Sequence, residues 1–238
     1  MRFCGLNKTT LLDYPSRVAC TVFLGGCNFR CPYCQNKDLI LHPQDFETFS
    51  EEDVLSHLQK RAGILTGICI TGGEPTIHKD LPDFAEKCKA LGYFVKLDTN
   101  GTNPDMLKDL YEKKLIDYVA MDIKSGPSEY MSASGLTKSP LPMKKITESV
   151  RFLMNETDPA RFDYEFRTTV VKGLHTARSF EEIADWIKGA PHYYLQSYEE
   201  SPGVLQPEAG LGAFSKEELL SFALQIRERI PNVQIRGV

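Results

Sequence analysis

The chain has 238 residues, with 28 Lys plus Arg against 32 Asp plus Glu, a formal net charge of −4. Hydrophobic residues make up 42% and charged residues 25%, a globular balance that excludes a disordered acidic tail or a low-complexity protein. The weak negative charge argues against a nucleic-acid-binding face, no apolar run reaches the roughly 18 residues that span a bilayer, and Met1 to Pro15 lacks the apolar core of a secretory signal.

A cytoplasmic protein is therefore expected, with no membrane and no nucleic acid among its partners. The length suits a single domain over 1–238, with a core of about 16–200 and a C-terminal helix and tail at 215–238.

In chain order, short β-branched runs alternate with helical patterns. Strands are predicted at Val18–Leu24, Ile68–Thr71, Tyr93–Leu97, Tyr118–Ile123, Tyr164–Val171 and His192–Gln196. Ser50 with Asp53 reads as a capping box before Val54, Leu55 and Leu58. Asp80 is placed to cap a helix whose core face is Phe84, Cys88 and Leu91. Asn103 followed by Pro104 supplies an N-cap and a proline at the first helical position. Ser179 with Glu182 opens a helix burying Phe180, Ile183, Ala184 and Ile187; Ser215 with Glu218 opens another over Leu219, Ala223, Ile226 and Ile230.

Buried strands alternating with helices imply a parallel sheet. Six strand–helix units fall short of a closed eight-fold barrel, so an open, partial (β/α)6 barrel of the α/β class is expected, with the doubly wound open sheet as the competing architecture. In both, ligands gather at the carboxyl ends of the strands. Two irregular stretches, Ser125–Pro142 and Glu199–Phe214, follow the fourth and sixth strands and fall at the rim of such a site.

The chemistry-bearing residues cluster at those strand ends. The first strand runs into Gly25-Gly26-Cys27-Asn28-Phe29-Arg30-Cys31-Pro32-Tyr33-Cys34, a C-x3-C-x2-C spacing. Thiolates this close can converge on one iron–sulfur cluster, whose usual ligation is four-fold, and three local ligands leave one iron for a substrate. The alternatives are structural zinc completed by Cys20 or His42, and a redox pair made by Cys31 and Cys34 alone, which leaves Cys27 unexplained.

The second strand ends in Thr71-Gly72-Gly73-Glu74-Pro75, whose glycines let backbone lie flat against a ligand. The third ends in Asp98-Thr99-Asn100-Gly101. On the fourth, Asp122 and Lys124 share a face opposite Ile123, either as a ligand-holding acid and base or as a local ion pair. The fifth carries Arg167, suited to a carboxylate or simply solvated. Cys4, Cys20, Cys69 and Cys88 read as packing residues, His175 and His192 have no paired acid at readable spacing, and Trp186 follows the core face of its helix.

C-x3-C-x2-C with an aromatic before the last Cys, followed by Gly-Gly-Glu-Pro, resembles the radical S-adenosylmethionine (SAM) enzymes. Leu11-Leu12-Asp13-Tyr14-Pro15 ahead of the cysteine loop is similar to the glycyl-radical-enzyme activating proteins, and among these to the anaerobic ribonucleoside-triphosphate reductase activating branch. The resemblance spans about Gly5 to Tyr198 and is sharp up to Lys124.

It implies that Cys27, Cys31 and Cys34 ligate a [4Fe–4S] cluster whose open iron chelates SAM. It places Tyr33 beside the adenine with backbone contact extending to Gln35, and Gly72, Gly73 and Glu74 at the methionyl ammonium. It places Asp122 and Lys124 at ribose or carboxylate, Arg167 at the carboxylate and Tyr198 or Glu199 as a last contact. It also implies a monovalent cation near Asp98 and Asp122. The implied reaction is reductive cleavage of SAM to a 5′-deoxyadenosyl radical that makes a glycyl radical on a partner enzyme, with electrons from a flavodoxin or ferredoxin-type reductant.

Ser16 stands where glycine usually follows Asp-Tyr-Pro, and Leu195-Gln196-Ser197-Tyr198 departs from the family pattern. No Cys lies between Cys34 and Cys69, so the ferredoxin insert of some activases is absent. A small-molecule radical SAM enzyme, such as a 7-carboxy-7-deazaguanine synthase, and a non-catalytic iron–sulfur carrier are the rivals.

Overall fold

The structure is a computed structural model that describes residues 1–136, 142–201 and 203–238. Two compact units divide the chain. The first comprises Met1–Asn28, Asp38–Ala120 and Thr157–Asp163; the second comprises Phe29–Lys37, Met121–Glu156 and Tyr164–Val238.

Among the described residues nine strands form a mostly parallel, open sheet: β1 (Phe3–Thr10), β2 (Ala19–Leu24), β3 (Gly67–Gly72), β4 (Phe94–Thr99), β5 (Tyr118–Asp122), β6 (Asp163–Lys172), β7 (Tyr193–Ser197), β8 (Gly212–Ala213) and β9 (Val233–Arg236). The order is β1-β2-β3-β4-β5-β6-β7-β9, with β8 paired to β6. All six expected strands are present within a residue or two of their predicted ends, and the α/β reading of an open rather than closed sheet holds.

Three strands were not expected. β1 pairs antiparallel with β2 through an irregular register, and its Gly5, Asn7 and Lys8 spoil any alternation a sequence could reveal. β8 has only two residues, and β9 has four, parallel to β7.

In the first unit, α1 (Lys37–Leu41) falls across the boundary of the two units, while α2 (Glu51–Lys60), α3 (Leu81–Ala90) and α4 (Pro104–Glu112) follow the alternation. The capping box of α2 is made: Ser50 N donates to Asp53 Oδ2 at 2.8 Å and Asp53 N to Ser50 Oγ at 3.0 Å. Asn103 caps α4 by accepting from Met106 N at 3.3 Å. Asp80 precedes α3 as expected, but its side chain makes no cap hydrogen bond. Val54, Leu58, Phe84 and Cys88 are buried, as are the β-strand residues Cys20, Val22, Ile68, Ile70, Val95 and Leu97. Parallel register fixes the faces: Cys20 pairs Ile68 and Ile68 pairs Val95, so these share one face, and Thr21, Cys69 and Lys96 share the other.

In the second unit, α5 (Tyr130–Ser134), α6 (Met143–Asn155), α7 (Ala177–Trp186) and α8 (Lys216–Ile226) follow. The capping box of α8 is made by Ser215 and Glu218. Helix α7 begins earlier than expected, with Thr176 as N-cap; Thr176 N donates to Ser179 Oγ at 2.9 Å. Glu182 is therefore not part of a cap and instead accepts from Ser128 and Arg178.

Helices α1, α5 and α6 were not expected. Helix α5 lies inside the stretch read as irregular; residues 137–141 of that stretch, and residue 202 of the later one, lie outside the described residues. Among the described residues no helix is long and apolar enough to cross a membrane.

Candidate functional site

In the first unit the glycine-rich turn after β3 packs against the start of the cysteine loop. Gly73 N donates to Leu24 O and Glu74 N to Gly26 O, both at 2.9 Å. A Cβ on Gly73 would stand 1.7 Å from Gly26 O, and Gly72, at φ +120°, would place one 2.4 Å from Leu24 backbone. Only glycine allows this approach, which is the physical content of the Gly-Gly pair. His78 Nε2 sits 3.0 Å from Gly25 O and holds the other side of the turn.

Glu74 is 1% exposed, and its carboxylate is hydrogen-bonded internally. Oε1 accepts from Thr76 N at 3.0 Å, Thr76 Oγ1 at 2.6 Å and Thr99 Oγ1 at 2.7 Å, while Oε2 accepts from Asn100 N at 2.6 Å. Burial pushes this carboxyl up, against the pull of those donors. Asn100 Nδ2 donates to Asn28 Oδ1 at 2.8 Å, Asn28 Nδ2 to Thr102 Oγ1 at 2.7 Å, and Thr102 Oγ1 to Asn100 Oδ1 at 2.7 Å. Glu74 thus braces the ends of β3 and β4, and Asn28, the residue after Cys27, ties the cysteine loop to Asn100 and Thr102 of that brace. Sequence reasoning missed Asn28, Asn100 and Thr102. The dense polar run Asp98 to Asn103 at a strand end was the available signal.

Cys27 is half-buried. Asp98 is ion-paired with Lys96 and its Oδ1 lies 3.7 Å from Cys69 Sγ.

In the second unit, Cys31 is buried, Cys34 is half-buried, and Cys34 N closes a turn onto Cys31 O at 3.0 Å. Burial raises both thiols, Cys31 to about 11, with the Lys124 charge pulling the other way. Both stretches read as rim loops grip this segment. Arg30 N donates to Ser134 O at 2.9 Å, Leu205 N to Cys34 O at 3.0 Å, Gln206 N to Pro32 O at 2.9 Å and Gln35 Nε2 to Glu199 O at 3.1 Å.

Asp122, Lys124 and Arg167 form one charged triad. Arg167 Nε donates to Asp122 Oδ1 and Lys124 Nζ to Asp122 Oδ2, each at 3.0 Å. Burial alone would raise the Asp122 carboxyl; Arg167 and Lys124 outweigh it and hold it at about 2. Arg167 is therefore not a solvated strand residue. The Lys124 main chain is fixed too: His175 Nε2 stands 2.8 Å from Lys124 O, and Val171 N donates to His175 Nδ1 at 3.0 Å, which sets the Nε2–H tautomer.

A cavity of about 310 Å³ opens beside this triad, and Tyr33, Cys34, Gln35, Lys124 and Tyr198 all line it, five of the residues singled out from sequence. Thr169 and Gln196, which sequence reasoning missed, also line it, with Asn36, Ser197 and Glu199; Thr169 and Gln196 are register partners on β6 and β7. The Tyr33 and Tyr198 rings meet edge to face at 6.5 Å. Tyr33 Oη is buried without a hydrogen-bond partner among the described residues, as is Ser125 Oγ. A buried hydroxyl without a partner is costly, and a polar ligand atom would relieve it.

The donor set suits a polynuclear thiolate-bound group, since the three cysteines come from one loop and are soft ligands. Among the described residues no three His, Cys, Asp or Glu side chains converge as a cage for a single ion; the ligands of a cubane cluster bind different irons and need no such convergence.

The model of the Radical SAM superfamily matches residues 21–187. A Methanocaldococcus jannaschii protein bearing the provisional name glycyl-radical enzyme activating enzyme is 30% identical over 239 residues, covering 98% of this chain and 95% of its own. A 7-carboxy-7-deazaguanine synthase of Neisseria meningitidis is 38% identical over 104 residues, 44% of this chain and 42% of its own. Among solved structures, Streptococcus suis SuiB bound to S-adenosylmethionine superposes with a TM-score of 0.68 at 15% identity, covering 91% of this chain; the chain spans 52% of that structure, and the likeness concerns the fold.

Proposed function

The chain belongs to the radical SAM superfamily, and from that premise we propose that it activates a glycyl-radical enzyme of the anaerobic ribonucleoside-triphosphate reductase class. The observation that carries the SAM reading is the cavity beside Cys34, lined by Tyr33, Gln35, Lys124 and Tyr198. The activase branch rests on a likeness that covers 98% of this chain and 95% of the relative, whereas likeness to 7-carboxy-7-deazaguanine synthases covers 44% of this chain in one case and 60% in another. The reading treats 1–238 as one radical SAM domain.

In this reading Cys27, Cys31 and Cys34 hold a [4Fe–4S] cluster, which supplies the electron for reductive cleavage of SAM and hence the radical that takes a glycine Cα hydrogen from the partner. The chain's own residues bind and orient. Tyr33 and Tyr198 offer aromatic wall to an adenine, and the buried Tyr33 hydroxyl gains a partner. Lys124 carries three donors and gives one to Asp122, so it has capacity left for a carboxylate. Arg167 supplies the second cation. At the Gly72-Gly73-Glu74 turn, Glu74 Oε1 takes three hydrogen bonds and Oε2 one, and the N–H groups of Gly73 and Glu74 are donors already placed. An ammonium needs acceptors, and Glu74 Oε2, with one hydrogen bond, and the backbone carbonyls are what this turn offers it.

Two segments that clasp the cysteine loop help exclude water from the site. A flavodoxin or ferredoxin-type carrier delivers the electron.

The deciding experiment is anaerobic reconstitution, then incubation with dithionite, SAM and candidate partner enzymes, read by chromatography and electron paramagnetic resonance. The expected result is 5′-deoxyadenosine together with a glycyl radical on the partner. Assembled cluster that yields 5′-deoxyadenosine but no protein radical with any candidate overturns the activase branch. Assembled cluster that yields no 5′-deoxyadenosine overturns the whole reading.

A further inference from the structure

Strand β4 places Lys96 and Asp98 on one face, two residues apart. The Lys96 side chain is 2% exposed and its ammonium is ion-paired with Asp98, whose side chain is 14% exposed. The same ammonium lies 3.7 Å from Sγ of Cys69, the register partner of Lys96 on β3, and 6.0 Å from the Tyr118 ring centroid. A lysine this deep is tolerated only when its charge is met, and here a carboxylate, a thiol and an aromatic face meet it.

The expected monovalent cation does not fit this arrangement. The Asp98 carboxylate already has an ammonium in contact with it, and a potassium or sodium ion at Asp98 would add further positive charge beside that buried ammonium. Asp122, taken by itself, has its own two cations in Lys124 and Arg167.

We propose that Lys96 is the built-in countercharge of Asp98 and that this chain binds SAM without a monovalent cation at that carboxylate. Lys96 acts as a positioning residue: it holds the Asp98 carboxylate in one place without touching the cofactor. The charge pairing stands on the geometry alone; its bearing on SAM rests on the radical SAM reading.

The test compares KCl, NaCl and choline chloride at equal ionic strength, with two readouts: SAM affinity of the reconstituted holoenzyme and the thermal unfolding midpoint of the protein. For the natural chain SAM affinity stays within about twofold across the three salts and the midpoint does not depend on the cation. Lys96→Met leaves Asp98 without its ammonium, so in choline its midpoint drops and SAM binding weakens by about tenfold, and KCl or NaCl restores part of both. A natural chain whose affinity or midpoint rises with KCl or NaCl over choline overturns the proposal. So does Lys96→Met that is indifferent to the cation. If Lys96→Met does not fold, the natural chain's cation response still decides. A holoenzyme that binds no SAM in any salt counts against the radical SAM reading instead, and the midpoints still judge the pairing.

Discussion

Glu74 takes four hydrogen bonds in a site 1% exposed, so its charge serves the architecture of the strand ends. The cysteines divide along similar lines. Cys88 is wholly buried on the apolar face of α3, and burial holds its thiol far above the ordinary range, so it packs as a small hydrophobe. Cys27, Cys31 and Cys34 share one loop whose backbone is tied down at Gly26, Arg30, Pro32 and Cys34. Alanine at any of the three is expected to abolish the broad visible absorbance of the reconstituted cluster while the protein stays folded. Cys88→Ala should keep that absorbance and cost about 1–2 kcal/mol in urea unfolding. Iron that is lost from Cys88→Ala, or retained by Cys31→Ala, would assign the ligands differently.

At the scale of elements, the two stretches that sequence could describe only as irregular prove to be the clasps of the cysteine loop in the second unit. Gly135, the αL cap of α5, lies so close that a Cβ there would stand 1.8 Å from Arg30 O. Gly210 has a similar φ of +64° but nothing within 4 Å of its would-be Cβ. Gly210→Ala therefore pays only the left-handed conformational cost of about 1 kcal/mol, whereas Gly135→Ala must also push away the Arg30 carbonyl. Cluster occupancy at equal iron loading should fall for Gly135→Ala and remain unchanged for Gly210→Ala. The strand end at Lys124 carries a second such tie, to His175. Burial lowers His175 from its ordinary value of 6.5, so the folded chain keeps it neutral while the unfolded chain takes up a proton near that pH. The stability it contributes is complete above about pH 6.5 and is lost as pH falls below it. His78 is lowered by burial as well and adds the same sign, so the comparison is between the natural chain and His175→Gln. Chemical denaturation at two pH values either side of 6.5 should show a smaller loss on acidification in the variant, and an equal loss would remove His175 from the account.

For the molecule as a whole, what was legible in the sequence is what repeats: six buried strands, their helices with capping boxes at Ser50 and Ser215, and cysteines and glycines crowded at strand ends. What was not legible is what depends on distant partners. Lys96 and Glu165 carry no signal in the sequence that sets them apart, yet both are buried, met by Asp98 and Arg236. The short strand β9 shows how such a partner matters to the site. Arg236 donates bidentately to Glu165 at 2.8 and 2.9 Å and lies over the Tyr194 ring at 3.2 Å, and it is the register partner of Gln196 in the cavity wall. Glu165 is 1% exposed and Arg236 35%, so removing the arginine strands a buried carboxylate while losing a partly solvated cation. Arg236→Met should thus destabilise by about 2 kcal/mol, below the cost of breaking a fully buried pair, and weaken SAM binding as β7 loses its edge partner. Adding Glu165→Gln removes the stranded charge, so the double variant should regain stability relative to Arg236→Met in urea unfolding. If the two losses simply add, the pair is not coupled, and β9 is held by its backbone ladder to β7 instead.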